Sequence, residues 1–156
     1  MHRRPRLILV LSLAVAALLA LGAVSWWHWR PLRVSAPADA ANPRCAAMAD
    51  DLPAKVHGQG RVRTTSGSPA VAAWGDPAVI WRCGVTPPGA TTDECLDVDG
   101  VDWVVHVLDD GAAFTTFGRD PAVQVLVPHD YAPEPLLLSA FSSVAGAVPQ
   151  GANHCS

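Results

Sequence analysis

An uncharged run near the amino terminus constrains this chain more than any other feature. Between residues 7 and 27 the only polar side chains are those of Ser12 and Ser25. A helix over that run would extend about 31 Å, which is enough to cross the hydrocarbon core of a bilayer. The sequence therefore predicts a transmembrane helix over residues 7–29. Residues 1–6 would precede it, and residues 30–43 would follow it as a linker.

The arginines around this run predict its orientation. Three of them precede it and two follow it: Arg3, Arg4, Arg6, Arg30 and Arg33. Under the positive-inside rule the amino terminus lies in the cytoplasm, so we expect a single-pass protein of the cell membrane whose carboxyl-terminal part is extracytoplasmic. The alternative is a cleaved signal peptide that releases a secreted domain. The run is longer than the usual apolar region of such a peptide, about 7–15 residues.

The remainder of the chain is acidic. From residue 34 onward it carries six basic and fourteen acidic side chains. Proteins that bind nucleic acid need a basic face to neutralise phosphates, so nucleic acid is excluded as an expected partner. Residues 44–156 are long enough to form one domain with its own core.

Four cysteines follow the apolar run: Cys45, Cys83, Cys95 and Cys155. An even number in an oxidising compartment predicts two disulfides, with three possible connectivities. We favour Cys83–Cys95, which would close a Gly/Pro/Thr-rich loop, and Cys45–Cys155, which would join the two ends of the domain. A zinc site is the competing interpretation, but paired ligands at the usual short spacing are missing. We therefore predict neither a metal nor a cofactor.

Two Asp-Gly dipeptides predict hairpins. Asp99-Gly100 and Asp110-Gly111 separate runs with alternating apolar residues, and both positions of such a turn are expected to take positive φ. The runs predict a four-stranded antiparallel meander over residues 96–127. A further strand is expected at residues 78–85 and an edge strand at residues 61–65.

Helical spacing of apolar residues predicts helices over residues 45–52 and 135–148. Strands in succession with helices at both ends indicate an α+β domain, in which one or two helices cover an antiparallel sheet. The predicted architecture is thus a transmembrane helix followed by a disulfide-stapled α+β domain.

The usual catalytic motifs are missing from the sequence, so we predict no catalytic residue. Two arginines are the best candidates for a site: Arg82 in WRCG and Arg119 in FGRDP. They could form structural ion pairs with Asp76 or Asp120, which belong to Asp-Pro turns. We favour this structural interpretation. The alternative is an anion-recognition patch, since the guanidinium fork suits carboxylates and phosphates.

Several stretches resemble a known family. They are AWGDPAVIWRCGV at residues 73–85, VDGVDW at 98–103, TTFGR at 115–119 and VQVLVP at 123–128. The resemblance is to the actinobacterial family of membrane-anchored or secreted proteins catalogued as domain of unknown function 3515. It implies a place at the cell envelope and brings no established activity.

These observations favour a non-enzymatic binding or accessory domain that is tethered to the membrane and recognises an envelope protein or a cell-wall component. An enzyme acting on envelope precursors is the alternative, and it would need His106 beside Asp102 or Arg119 in a cleft. A third possibility is a structural role in a membrane complex through the helix itself.

Overall fold

The computed structural model describes residues 12–22 and 30–155, which belong to two compact units divided between Pro31 and Leu32. In the first unit residues 12–22 are helical. The predicted transmembrane segment, residues 7–29, otherwise lies outside the described residues. Among the residues described, no helix is both long and apolar enough to cross a membrane.

The second unit is built on an antiparallel sheet, which has eight strands within the described residues and the order β1-β2-β3-β4-β8-β7-β6-β5. The predicted meander is confirmed as β5 to β8, and β4 pairs with β8. The strands are β1 (Lys55–Val56), β2 (Gln59–Val62), β3 (Val71–Trp74), β4 (Val79–Val85), β5 (Cys95–Val98), β6 (Val101–Leu108), β7 (Gly111–Thr116) and β8 (Ala122–Pro128).

Two α-helices pack on this sheet, which confirms the α+β prediction. Helix α1 is Pro43–Asp51, and its N-cap Asn42 accepts a hydrogen bond from the Arg44 amide at 3.0 Å. The single helix predicted over residues 135–148 is wrong in extent. The structure has a 3₁₀ turn, Glu134–Leu137, followed by the short helix α2, Ser139–Ala145.

One of the two predicted hairpin turns has the expected conformation, and the other does not. Asp99 and Gly100 have φ of 52° and 78°, as predicted. In the next hairpin Leu108 pairs with Gly111, so the turn residues are Asp109 and Asp110. The expectation of positive φ at Asp110 and Gly111 is wrong. Gly111 is a strand residue, and a Cβ there would overlap the Val127 carbonyl oxygen of the neighbouring strand.

The core lies between the helices and one face of the sheet. Its centre is aromatic: the Phe141 ring of α2 lies 5.3 Å from that of Trp74 and 5.5 Å from that of Trp81. One row of β8, Val123, Val125 and Val127, is fully buried against the helices.

All four cysteines form disulfides, but the favoured connectivity is wrong. Cys45 of α1 is bonded to Cys83 of β4, and Cys95 of β5 is bonded to Cys155 in the carboxyl-terminal tail. Strands β4 and β5 are four positions apart in the sheet. At about 4.8 Å per strand they are separated by about 19 Å, far beyond the Cα–Cα distance a disulfide allows.

Three strands at one edge depart from the prediction. The edge strand expected at residues 61–65 is wrong in extent and position: the observed strand β2 covers Gln59–Val62, and β1 pairs outside it at the edge. Strands β1 and β3 were not predicted. Part of the expected linker also contacts the sheet: Leu32 forms a parallel bridge with Thr64, and the Asp39 amide donates to the Gly84 carbonyl at 3.0 Å.

Candidate functional site

A small pocket lies where the β1–β2 turn meets the segment between β8 and α2. Its volume is about 230 Å³, and we call it the Tyr131 pocket. The lining residues are mainly apolar: Val56, His57, Tyr131, Ala132, Pro133, Leu136, Leu137 and Ala140. Of these, Leu136 is 71% exposed although its side chain is aliphatic.

One wall of the pocket is set by a tight turn. His57 and Gly58 have φ of 48° and 78°, the combination that joins two antiparallel strands through a two-residue loop. This turn places the His57 ring edge-on to the Tyr131 ring, with the centroids 5.6 Å apart. The ring pair joins the edge hairpin to the segment after β8.

The Tyr131 hydroxyl is held by the turn between β3 and β4. It donates a hydrogen bond to the Pro77 carbonyl oxygen at 2.8 Å. Gly75, with φ of 79°, leaves room for it, since a Cβ at that position would lie 2.6 Å from the hydroxyl oxygen. Just before this turn, at the end of β3, the Trp74 indole donates to the Pro53 carbonyl at 3.0 Å. The Trp-Gly-Asp-Pro motif thus builds the support of the pocket.

The charged groups that act on Tyr131 are carboxylates. Burial raises the pKa of Tyr131, and the carboxylates of Asp130 and Asp76 raise this pKa further. The hydroxyl therefore stays protonated and keeps its bond to Pro77. Nearby, His129 Nδ1 lies 2.5 Å from Glu134 Oε1, and this hydrogen bond lowers the pKa of Glu134. The pair braces the segment that carries Tyr131.

The size of the pocket limits what it can hold. Pockets that take drug-sized ligands usually measure about 300–1,000 Å³, so this one has room for about one large side chain or a similarly small group. Its lining offers aliphatic and aromatic contact, and Tyr131 already uses its hydroxyl proton internally. The arrangement suits binding of an apolar group.

The structure does not bring the predicted site residues together. Arg82 lies on β4, where its Nη1 donates to Gln124 Oε1 at 3.2 Å. Asp76 is exposed in the β3–β4 turn. The anion patch considered for these residues stays a prediction.

Arg119 is buried and bonds to backbone groups within the fold, as a structural residue does. It is 6% exposed and donates to the backbone carbonyls of Gly146, Val148 and Gly100. Burial lowers the pKa of Arg119, and the Asp102 carboxylate opposes that shift. Its hydrogen bonds hold the chain that leaves α2 against the β5–β6 turn.

Asp102, the partner that an enzyme would need beside His106, contacts the carboxyl-terminal tail. Asp102 Oδ2 accepts a hydrogen bond from the Cys155 amide at 3.2 Å and lies 3.3 Å from His154 Nδ1. His106 is exposed farther along β6. The contacts of Asp102 thus fasten the carboxyl-terminal tail to the sheet.

Sequence reasoning missed the Tyr131 pocket because its residues are scattered along the chain. One signal was available: Tyr131 is the sole tyrosine of the sequence, and it lies in a Pro-rich connection that follows the last strand.

Fold and site together define a class: a disulfide-bridged, antiparallel α+β domain with helices on the core face of its sheet and a side-chain-sized apolar pocket. The chain belongs to the family described as Protein of unknown function (DUF3515), whose family model matches residues 6–152. The match includes every residue of the pocket and confirms the resemblance seen in the motifs. The comparisons with curated proteins and with solved structures gave no match.

Proposed function

We propose that this protein is an extracytoplasmic binding domain of the cell envelope, tethered by residues 7–29 with its amino terminus in the cytoplasm. It holds a partner protein by one apolar side chain inserted into the Tyr131 pocket. The observation that carries this proposal is the pocket itself, which is apolar and of side-chain size, with the exposed Leu136 among its lining residues.

A protein partner fits the size and chemistry of the pocket better than a small-molecule substrate. Binding energy at protein interfaces is concentrated in side chains that fill well-packed pockets. Leu136 adds aliphatic surface that a partner would cover, whereas an isolated small molecule would leave it in water.

The charges specify the partner further. Asp76 and Asp130 are close enough to act on Tyr131, and both are exposed. Complementary charges select the partner and its orientation. We therefore expect the inserted side chain to be followed or preceded by a lysine or arginine.

The disulfides support the extracytoplasmic placement. Such bonds persist in oxidising compartments and are rare in the cytosol. The two bonds join α1 to β4 and the tail to β5, so the fold uses all four cysteines. The apolar run and the arginines before it support the tether.

Peptide selection on the full chain in detergent micelles tests the proposal. Displayed peptides are selected on the wild-type chain, and the affinities of the selected peptides are then measured on variants. Ala140→Trp places an indole in the pocket from an exposed position of α2. Ala46→Trp, at an exposed position of α1, is the matched control.

We expect the selected peptides to pair an aliphatic or aromatic residue with a basic one. Ala140→Trp should abolish their binding, Ala46→Trp should leave it unchanged, and Asp76→Asn with Asp130→Asn should weaken it. Equal binding to the Ala140→Trp chain and the wild type would refute the proposal, and so would selection of acidic peptides.

A further inference from the structure

The sheet has a second face, opposite to the one that builds the core. Side chains alternate along each strand, so Trp81 and Cys83 enter the core while Ile80 and Arg82 lie on the other side. The middle of this second face is formed by Ile80, Arg82, Val104, Thr115, Gln124 and Leu126. Most of these side chains are half-buried, and none of them belongs to the core cluster.

A polar ladder crosses the second face. Arg82, Gln124 and Thr115 are direct cross-strand neighbours on β4, β8 and β7. Arg82 Nη1 donates to Gln124 Oε1 at 3.2 Å, and Gln124 Nε2 donates to Thr115 Oγ1 at 3.3 Å. Because Thr115 orients the Gln124 amide, the amide oxygen faces Arg82 and positions one edge of its guanidinium.

Arg82 retains most of its donors. A guanidinium carries five N–H groups, and within the described part of the chain the bond to Gln124 is the one polar contact given to Arg82. Its Nε lacks a hydrogen-bond partner and is closed off from solvent, so the donors left for a ligand are on Nη1 and Nη2. The adjacent cross-strand row, Ile80 with Leu126, is aliphatic. The second face thus presents an oriented cation beside an apolar surface.

From this geometry we infer that the second face binds an acidic protein segment. A carboxylate of the segment pairs with the free donors of Arg82, and neighbouring aliphatic side chains cover Ile80 and Leu126. Arginine–carboxylate pairs are strong and directional, and an apolar border removes water that would weaken them. The site is separate from the Tyr131 pocket and does not depend on its occupancy.

Two peptides that differ only in a carboxylate or an amide at one side chain test this inference on the full ¹⁵N-labelled chain in detergent micelles. The first is acetyl-Leu-Val-Asp-Val-Leu-amide, and in the second asparagine replaces aspartate. We expect the aspartate peptide to shift the side-chain amide resonances of Gln124 and to bind about tenfold more tightly than the asparagine peptide.

Variants of Arg82 test whether this residue causes the preference for the aspartate peptide. Arg82→Gln should remove the preference for aspartate, and Arg82→Lys should retain part of it because lysine keeps the charge and loses the fork. Lys55→Gln removes a positive charge from the exposed edge strand and should leave the preference unchanged. Melting curves establish that each variant is folded.

The inference is overturned if the two peptides bind equally, if neither shifts Gln124, or if Arg82→Gln keeps the preference. The peptides selected on the Tyr131 pocket serve as an internal control. Their unchanged binding to Arg82→Gln shows that the pocket is intact, so failure of this inference and failure of the proposed function are distinguished.

Discussion

Tyr131 connects three segments that are distant in sequence. Its ring meets His57, its hydroxyl donates to Pro77, and Gly75 provides the space for that hydroxyl. A single hydrogen bond of this kind contributes about 1 kcal/mol to stability. The hydroxyl therefore contributes modestly to stability, while the ring packs against the core and lines the pocket.

Tyr131→Phe removes the hydroxyl and keeps the ring. We expect the free energy of unfolding, measured in urea, to fall by about 1 kcal/mol, because the Pro77 carbonyl loses its donor. A loss near zero would show that solvent replaces this bond at no cost.

Gly75→Ala should destabilise the fold for two reasons, backbone strain and steric overlap. The backbone has φ of 79°, and the new Cβ would lie 2.6 Å from the Tyr131 hydroxyl. We expect a loss of about 2 kcal/mol or more. In the Tyr131→Phe background the loss should be smaller, since the overlapping oxygen is gone. Additive losses in the double variant would contradict this contact.

Glu134 makes stability depend on pH in a defined direction. The hydrogen bond with His129 lowers the pKa of Glu134 in the folded protein, so the carboxylate stabilises the fold above its ordinary pKa of about 4.3. This contribution is lost as the pH falls through the lowered value.

Glu134→Gln should therefore be slightly less stable than the wild type at neutral pH, by about 0.5 kcal/mol or less because solvent reaches the pair through the half-exposed His129 ring. The difference should vanish in acid. Urea titrations over a pH series measure it, and a difference that grows in acid would contradict the assigned direction.

At the scale of elements, strands with alternation and clear turns were predictable from sequence, and the others were not. The meander has clear turns, and burial alternates along most of β8, whereas β6 and β7 each begin with four buried residues. By contrast, all four residues of β3 are buried and all four of β2 are exposed, so neither strand alternates. The turn before β2 is His57-Gly58, which lacks the Asn or Asp that usually marks it.

The disulfide pairing and the pocket depend on topology, which local patterns do not contain. Cys83 and Cys95 are close in sequence, but the chain passes from β4 to the far edge of the sheet before it returns. Residues 57, 75–77 and 131–140 converge because β1 to β4 and β8 form one sheet. Composition and spacing could predict the bonded state of the cysteines, but not their partners.

Arg119 fastens α2 to the sheet, and its loss tests that role. Arg119→Met keeps apolar volume and leaves three carbonyls without their donor, so we expect a loss of about 3 kcal/mol in urea unfolding. Arg44→Met is the matched control, because the exposed Arg44 donates to the single Asp120 carbonyl and should cost about 1 kcal/mol or less. Equal losses in the two variants would refute the special role of Arg119.

At the scale of the whole molecule, the disulfides fix both ends of the domain. Cys45–Cys83 holds helix α1 on the central strand β4, and Cys95–Cys155 holds the carboxyl-terminal tail on the edge strand β5. The paired cysteines are 38 and 60 residues apart. In the chain-entropy account, loops of these lengths stabilise the fold by about 4 kcal/mol each.

Replacing Cys95 and Cys155 together by alanine should therefore lower the free energy of unfolding by about 4 kcal/mol. Replacing Cys45 and Cys83 should cost at least as much, since both side chains are fully buried and their removal also leaves space in the core. Urea unfolding of the full chain measures both pairs. A loss below about 1 kcal/mol for either pair would contradict the proposed bracing.

The central claim is an oxidised domain that works outside the cytoplasm with both ends fastened, and one measurement tests it most directly. Intact cells are treated with a membrane-permeant thiol-blocking reagent, and the chain is then digested without reduction and analysed by mass spectrometry. The account predicts linked peptides for Cys45–Cys83 and Cys95–Cys155, with no blocked cysteine. Blocked thiols at these four positions in the functioning protein would contradict it.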